Sequence, residues 1–126
     1  MAIRIKGVKM NKQYPAYFKE ISGLMNALGK EIPGTMGAFG QLHQKSTEDG
    51  ALSSKFKEMI ALAIAITVRC DGCIAYHTHA AVAAGATKKE IVEAIGVAVM
   101  MGGGPSVVYG SEALNALEQF ELQGKK

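Results

Sequence analysis

The sequence predicts an all-α domain of about six helices. Apolar residues recur at three- and four-residue spacing along several stretches, which is the period of an amphipathic helix. Helix-boundary signals separate these stretches, and the firmest of them is the capping box that begins at Thr87. We find no convincing alternation of strand and helix patterns, so a parallel sheet is not predicted.

The composition is that of one folded unit. The chain has 126 residues, of which 48% are apolar and 20% are charged, close to the globular average. We therefore expect a single domain over residues 1–126, with terminal arms at 1–12 and 122–126. Residues 2–10 alternate apolar and basic side chains, which suits a loosely held arm.

Charge, hydropathy and cysteine usage exclude several classes of protein. The net charge of +3 comes from scattered lysines, without the basic stripe that nucleic acids require. The longest apolar run is about half of the roughly 20 residues that span a bilayer. Two cysteines are too few for a disulfide-stapled secreted scaffold. We expect a cytoplasmic protein without a nucleic-acid partner or a membrane segment.

The first two predicted helices each begin near a proline. Pro15 suits the first turn of a helix whose apolar stripe ends at Gly29. A second, weaker helix follows Pro33 and carries His43. We interpret His43 as a surface residue, because no second metal-type residue stands beside it at helical spacing.

The third predicted helix is apolar on all sides over residues 59–68. Ser53 or Ser54 can cap it. A helix without a polar face must be covered all round, and a domain of this size has few elements to do so. We therefore expect a subunit interface to cover it, and hence a homo-oligomer.

The last three helices are bounded by glycines and caps. Asp71 is suited to cap a fourth helix over about residues 72–84, and Gly85 supplies its left-handed stop. A fifth helix opens at Thr87. The glycine-rich stretch 102–106 is a turn before the sixth helix, since no strand precedes it and no phosphate-loop lysine follows.

Both cysteines fall in the first turn of the predicted fourth helix. Two thiols at the Cys70-x-x-Cys73 spacing can form a disulfide and release it again, and the helix dipole stabilises a thiolate there. A helix terminus contributes about 0.3 to 1 kcal/mol, whereas one pKa unit is about 1.4 kcal/mol. The dipole alone is therefore too weak, and a second activating group is needed.

His77 is the candidate for that group. It lies at i+4 from Cys73 and at i+7 from Cys70, so one imidazole can serve as proton partner for either thiol. Tyr76, at i+3 from Cys73, can line the same site. His79 points to another face of the helix, and we interpret it as structural or exposed.

Two other interpretations of the cysteines remain open. Inert core cysteines are one of them. The other is a structural zinc half-site, in which Cys70, Cys73 and His77 supply three of the four ligands that zinc requires. The fourth would have to come from another subunit. We favour the active dithiol, with no bound metal.

A longer pattern carries a family resemblance. Residues 35–120 resemble the core of the carboxymuconolactone decarboxylase family, and more narrowly its alkyl hydroperoxidase D-like branch. The resemblance rests on Glu58, Cys70, Cys73 and His77 in the pattern Glu-x11-Cys-x2-Cys-x3-His, followed by His79-Ala-Ala and Gly-Ala-Thr-Lys-Lys-Glu-Ile.

The resemblance implies a fold and an activity. The expected protein is an all-helical homotrimer or homohexamer whose thiols reduce hydroperoxides or protein disulfides. A lipoyl group or a thioredoxin-like protein would donate the electrons. The redox group would be the Cys70–Cys73 disulfide, with no bound cofactor.

The resemblance also implies residue roles. Cys73 would be the activated thiol, Cys70 its disulfide partner, and Glu58 with His77 the proton relay. The founding peroxidase has a histidine immediately before its second cysteine, where this chain has Gly72. At about 1.5 Å per residue, Glu58 lies about 13 Å from the adjoining helix end and His77 about 7 Å. A straight antiparallel hairpin would therefore keep the two apart, and a steep crossing or a water is needed.

Two rival functions follow from the same residues. A cofactor-free decarboxylase or lactone-handling enzyme would use His77 and Glu58 for acid–base chemistry. A non-catalytic oligomeric module would use the cysteines for structure only.

Overall fold

Six α-helices make up the fold in the computed structural model, which describes residues 12–124. No strand occurs between those two residues, so the all-α prediction is confirmed. The arm expected over residues 2–10 lies outside the described residues. The helices are α1 (Tyr14–Glu31), α2 (Pro33–Thr47), α3 (Ser54–Thr67), α4 (Asp71–Ala83), α5 (Lys88–Gly102) and α6 (Gly104–Gly124).

The core lies among α3, α4, α5 and α6. α3 packs on α4 and α5, and α6 packs on α4 and α5. α1 contributes Tyr14 to this core, whereas α2 buries no residue completely. The largest fully buried side chains are Tyr14, Leu62, Ile66, Ile74, Ile91 and Leu117.

The predicted caps of α3 and α5 are present. Ser53 accepts a hydrogen bond from the Phe56 N–H at 3.2 Å. The Thr87 hydroxyl accepts from the Glu90 N–H at 3.1 Å, and the Glu90 carboxylate accepts from the Thr87 N–H at 2.9 Å. The bond from the Thr87 N–H, followed by the nearby Lys55 ammonium, lowers the pKa of Glu90. Gly85 has the predicted left-handed backbone, with φ of 91°.

The cap predicted for α4 is wrong. Cys70, not Asp71, is the N-cap, and its sulfur accepts from the Cys73 N–H at 3.2 Å. The reason lies at the end of α3, where Arg69 adopts a left-handed φ of 59° and the Cys70 N–H reaches back to the Ala65 carbonyl at 3.0 Å. This closing turn releases the chain at Cys70 in extended form, so the next helix begins one residue earlier than predicted.

Other boundaries differ by a few residues. α1 passes Gly29 and ends at Glu31, and α6 continues to Gly124, into the stretch where a terminal arm is predicted. One residue, Gly103 with φ of 69°, separates α5 from α6. Position 102 requires glycine, because a Cβ there would collide with the Ser106 hydroxyl in the first turn of α6.

The outer face of α3 is uncovered in the protomer. Its buried face includes Leu62 and Ile66, but four apolar side chains at four-residue spacing are about half exposed. They are Phe56, Ile60, Ile64 and Val68, at 51%, 48%, 55% and 64%. Beside them, a groove of about 450 Å³ runs between α3 and α5.

Within residues 12–124, none of the helices has the length and apolar character of a bilayer span.

Candidate active site

The two cysteines form a disulfide at the first turn of α4. Their Cα atoms are 5.2 Å apart, and both residues are half-buried. Neither cysteine is free in this state. In the described part of the chain, no group of three or more His, Cys, Asp or Glu side chains is arranged to hold a metal ion. The disulfide lies at the start of α4, where the cysteine spacing predicts a dithiol, and solvent can reach it.

Glu58 and His77 meet directly. The Glu58 Oε2 and His77 Nδ1 atoms are 2.8 Å apart, and the two side chains are only 7% and 18% exposed. A straight hairpin of α3 and α4 would leave these residues about 4.5 Å out of register along the helices, since Glu58 lies nine residues before Thr67 and His77 six residues after Asp71. The two side chains span this offset by direct contact, without a bridging water.

The contact orients the imidazole. An ionised carboxylate can only accept hydrogen bonds, so the hydrogen between the two groups is carried by the His77 Nδ1 atom. The Nε2 atom of a neutral His77 is then the basic nitrogen. The Glu58–His77 pair is therefore equipped to take a proton and return it.

Two further rings, those of Tyr76 and His43, lie beside this pair. The Tyr76 ring lies edge-on to both His77 and His43, with centroids 5.1 Å and 5.4 Å away. The centroids of His43 and His77 are 6.3 Å apart. Burial, and then the charge of Glu58, raises the pKa of Tyr76. The Tyr76 ring thus contacts the His77 ring. Because its pKa is raised, the Tyr76 hydroxyl keeps its proton at neutral pH.

The prediction that His43 is a surface residue is wrong. The residue is half-buried, and its Nε2 atom is inaccessible without a hydrogen-bond partner among the described residues. The sequence places His43 four residues after Phe39, on an apolar stripe of α2, but it does not show which element this stripe meets. No spacing rule connects α2 with α4 either, and only the tertiary packing brings His43 to Tyr76.

His79 has a packing role, as predicted. Its ring stacks on Phe18 at a centroid distance of 4.6 Å and lies edge-on to Phe120 at 5.2 Å. The residue joins α4 to α1 and α6, on a different side of the helix from the His77 pair.

Gly72 is covered by α1. A Cβ added there would lie 3.6 Å from both the Ile21 Cγ1 atom and the Tyr17 hydroxyl. A methyl group fits at that distance, but an imidazole would have to displace one of the two side chains. The packing of α1 thus accounts for a small residue between Asp71 and Cys73.

Comparisons with known proteins agree with this architecture. Residues 33–116 match the model of the carboxymuconolactone decarboxylase family. An uncharacterised protein of Cupriavidus necator is 39% identical over 95 residues, which are 75% of this chain and 84% of the relative.

Two crystal structures of family members resemble the chain along most of its length. One, from Legionella pneumophila, superposes with a TM-score of 0.82 at 44% identity, over 85% of this chain and 96% of that one. The other, from Thermotoga maritima, has a TM-score of 0.79 at 29% identity, over 86% and 93%. The description of the Thermotoga protein suggests a part in an antioxidative response.

Proposed function

We propose that this chain, which belongs to the carboxymuconolactone decarboxylase family, is a thiol-disulfide oxidoreductase of the alkyl hydroperoxidase type. The observation that carries the proposal is a disulfide at a helix start, four residues before a histidine that contacts a buried carboxylate at 2.8 Å. The redox group is the Cys70–Cys73 pair, and no bound cofactor is required.

The chemistry begins from the reduced pair. The Cys73 thiolate attacks the O–O bond of a hydroperoxide, and with one proton it forms a sulfenic acid and an alcohol. The Cys70 thiol then attacks the sulfenic sulfur, which releases water and forms the disulfide. With a disulfide substrate, the first product is instead a mixed disulfide, and Cys70 displaces the substrate thiol. A dithiol of the lipoyl or thioredoxin-like class returns two electrons and two protons.

The Glu58–His77 pair moves the protons. The Nε2 atom of His77 accepts the thiol proton of Cys73 and later supplies it to the leaving oxygen. The Glu58 carboxylate holds the ring in the tautomer that makes this possible and stabilises the imidazolium. Tyr76 lines the site and carries a hydroxyl proton that a substrate oxygen can accept.

The partner of the uncovered α3 face is a second copy of this chain. Supporting this are the four half-exposed apolar side chains on α3 and the apolar groove beside them. A closed homotrimer or homohexamer would bury them. Sedimentation at micromolar concentration is expected to show one of these species, and a stable monomer would contradict the assignment.

The location we propose is cytoplasmic, where glutathione and thioredoxin keep thiols reduced. A dithiol that must be returned to its reduced form in each cycle requires such surroundings. Fractionation of the native host is expected to recover the protein with cytosolic markers.

A stoichiometric hydroperoxide pulse tests the function. Mass spectrometry of the reduced protein is expected to show the Cys70–Cys73 disulfide within one turnover time. Cys73→Ser should abolish the reaction, whereas Cys70→Ser should stop at the sulfenic acid. If both thiols survive the pulse, and a disulfide substrate leaves them unchanged as well, the proposal fails.

A cofactor-free decarboxylase remains the alternative, because the Glu58–His77 pair suits acid–base chemistry without thiols. The chain with both Cys70→Ser and Cys73→Ser separates the two functions. Retained turnover of a lactone or β-keto acid by that variant would favour the decarboxylase.

A further inference from the structure

A second charged network adjoins the dithiol and takes no part in the proton relay. Its centre is Asp71, between the two cysteines and first residue of α4. The Tyr14 hydroxyl donates to Asp71 Oδ1 at 3.2 Å, and the Lys12 ammonium lies 3.4 Å from Oδ2. The same ammonium is 2.8 Å from the Glu112 carboxylate on α6.

The main chain at Lys12 is anchored to α6 by hydrogen bonds. The side-chain amide of Gln119 donates to the Lys12 carbonyl and accepts from the Tyr14 N–H, both at 2.8 Å. Gln119 is oriented in turn by the Asn115 side chain, at 2.9 Å. The main chain of Lys12 is therefore fixed by contacts that do not depend on the ion pair, and its side chain reaches Asp71 and Glu112 from there.

The phenol below the ion pair is a fixed hydrogen-bond donor. Tyr14 is fully buried. Burial, followed by the charges of Asp71 and Glu112, raises the pKa of Tyr14. The hydrogen bond to Glu112 leads the causes that raise the pKa of Lys12. At neutral pH, Asp71 therefore faces one cation and one neutral O–H group.

These groups act on the thiols in opposite directions. A carboxylate one residue from Cys70 and two from Cys73 lies well within the Debye length of about 10 Å. It disfavours a thiolate at either sulfur, whereas a cation favours one. The other ionisable groups nearby are the Glu58–His77 pair, whose histidine lies four residues after Cys73, the exposed Arg69, the Tyr17 hydroxyl above Gly72, and Glu112. Neither the Asp71→Asn nor the Lys12→Met change described below alters the Glu58–His77 pair. The balance at the sulfurs depends on how far Lys12 and Tyr14 offset Asp71.

We propose that Asp71 and Lys12 are positioning residues of opposite sign that together set the thiolate population of the Cys70–Cys73 dithiol. Asp71 suppresses the thiolate, and Lys12 relieves that suppression. The inference deepens the proposed function, because it concerns the same dithiol. It requires only that the disulfide can be reduced, and it is independent of the substrate.

The first test is the alkylation rate of the reduced full-length protein as a function of pH. Asp71→Asn should lower the midpoint pH of the faster thiol, and Lys12→Met should raise it. Asp71 adjoins Cys70 in sequence, and the Lys12 ammonium lies 3.4 Å from its carboxylate. At an effective dielectric constant between those of protein surface and water, each change should alter the thiolate population at neutral pH by about three- to tenfold. Lys89→Met, an exposed lysine on α5, is the matched control and should leave the midpoint unchanged.

The second test is the equilibrium with glutathione, in which the protein disulfide and two glutathiones give the dithiol and one glutathione disulfide. Above the midpoint pH, Asp71→Asn should shift the equilibrium constant about three- to tenfold toward the dithiol. A tenfold shift corresponds to about 30 mV for a two-electron couple. Lys12→Met should shift it the other way.

Opposite signs are the decisive result. A merely structural role would move both variants in the same direction or neither, and either outcome overturns the proposal. Should Asp71→Asn fold poorly, Lys12→Met alone decides, since its alkylation midpoint must rise. If the two variants shift the alkylation midpoint in opposite directions, but the protein turns over neither hydroperoxide nor disulfide, the proposed function is wrong and this inference is still supported.

Discussion

The two contacts that make up the candidate site differ in how they arise. The Cys70–Cys73 disulfide is formed within one helical turn, across three residues of sequence. The Glu58–His77 contact spans 19 residues and joins two helices. The first depends on where α4 begins, and the second on how α3 and α4 pack together. The disulfide is therefore a local product of the chain, and the Glu58–His77 contact is a product of the packed core.

Removing one side of the cross-helix contact should have the largest effect. Glu58→Gln is expected to lower kcat/KM for hydroperoxide by about 10² to 10⁴-fold, because the proton relay loses its orienting charge. The disulfide should still form with diamide, which needs no relay. His77→Gln should cost about as much, and the double variant little more than either.

The matched control is Glu20→Gln, an exposed carboxylate on α1, which should leave the rate unchanged. Strictly additive losses in the double variant would mean that Glu58 and His77 act separately, and the comparison between local and cross-helix contacts would lose its basis.

A cavity in the core next to Glu58 should have the second-largest effect. Leu62 is fully buried one turn after Glu58 on α3, and Leu62→Ala should destabilise the fold by about 2 to 5 kcal/mol. Urea denaturation measures the loss. Leu24→Ala, at a side chain 58% exposed on α1, should change little. Equal losses in the two variants would argue against a core centred on α3.

The ring of His43 should matter less. His43→Gln removes the edge-on contact with Tyr76, and such ring pairs contribute about 0.5 to 1.5 kcal/mol, so a loss of about two- to tenfold in hydroperoxide turnover is expected. His43→Phe should restore most of it if the ring holds Tyr76 in place. Equal activity in wild type and His43→Gln would show that α2 is not needed by the relay.

The smallest change concerns the local turn alone. Gly72→Ala should raise the free energy of unfolding by about 0.4 to 1 kcal/mol, because alanine restricts the unfolded chain and its Cβ would make ordinary contacts here. The rate of disulfide formation should not change. Thermal unfolding measures the gain, and a lower melting temperature would show that α1 presses more closely on this turn than the distances indicate.

The same contrast explains what the sequence could predict. Six helices, the capping box at Thr87 and the stop at Gly85 follow from local patterns. The dithiol and the placement of Tyr76 beside His77 follow from spacing along one helix. Each of these depends on residues within a few positions of one another, where backbone geometry decides the outcome.

What could not be predicted depends on distant or unusual backbone. Asp71 has the better side chain for a cap, but the left-handed Arg69 sets the chain so that Cys70 takes that position. The direct Glu58–His77 contact requires the packing of α3 against α4. His43 requires the packing of α2, and the sequence does not show which helix α2 meets.

The Gln119 amide determines which sequence changes the segment 12–14 can accept. It pairs with the Lys12 carbonyl and the Tyr14 N–H at 2.8 Å each, two main-chain groups that a neighbouring strand could otherwise satisfy. A single side chain thus substitutes for a strand, and it recognises peptide groups rather than side chains. The register of this segment can therefore persist through sequence drift, provided that position 119 keeps an amide, since a carboxylate cannot donate to the carbonyl.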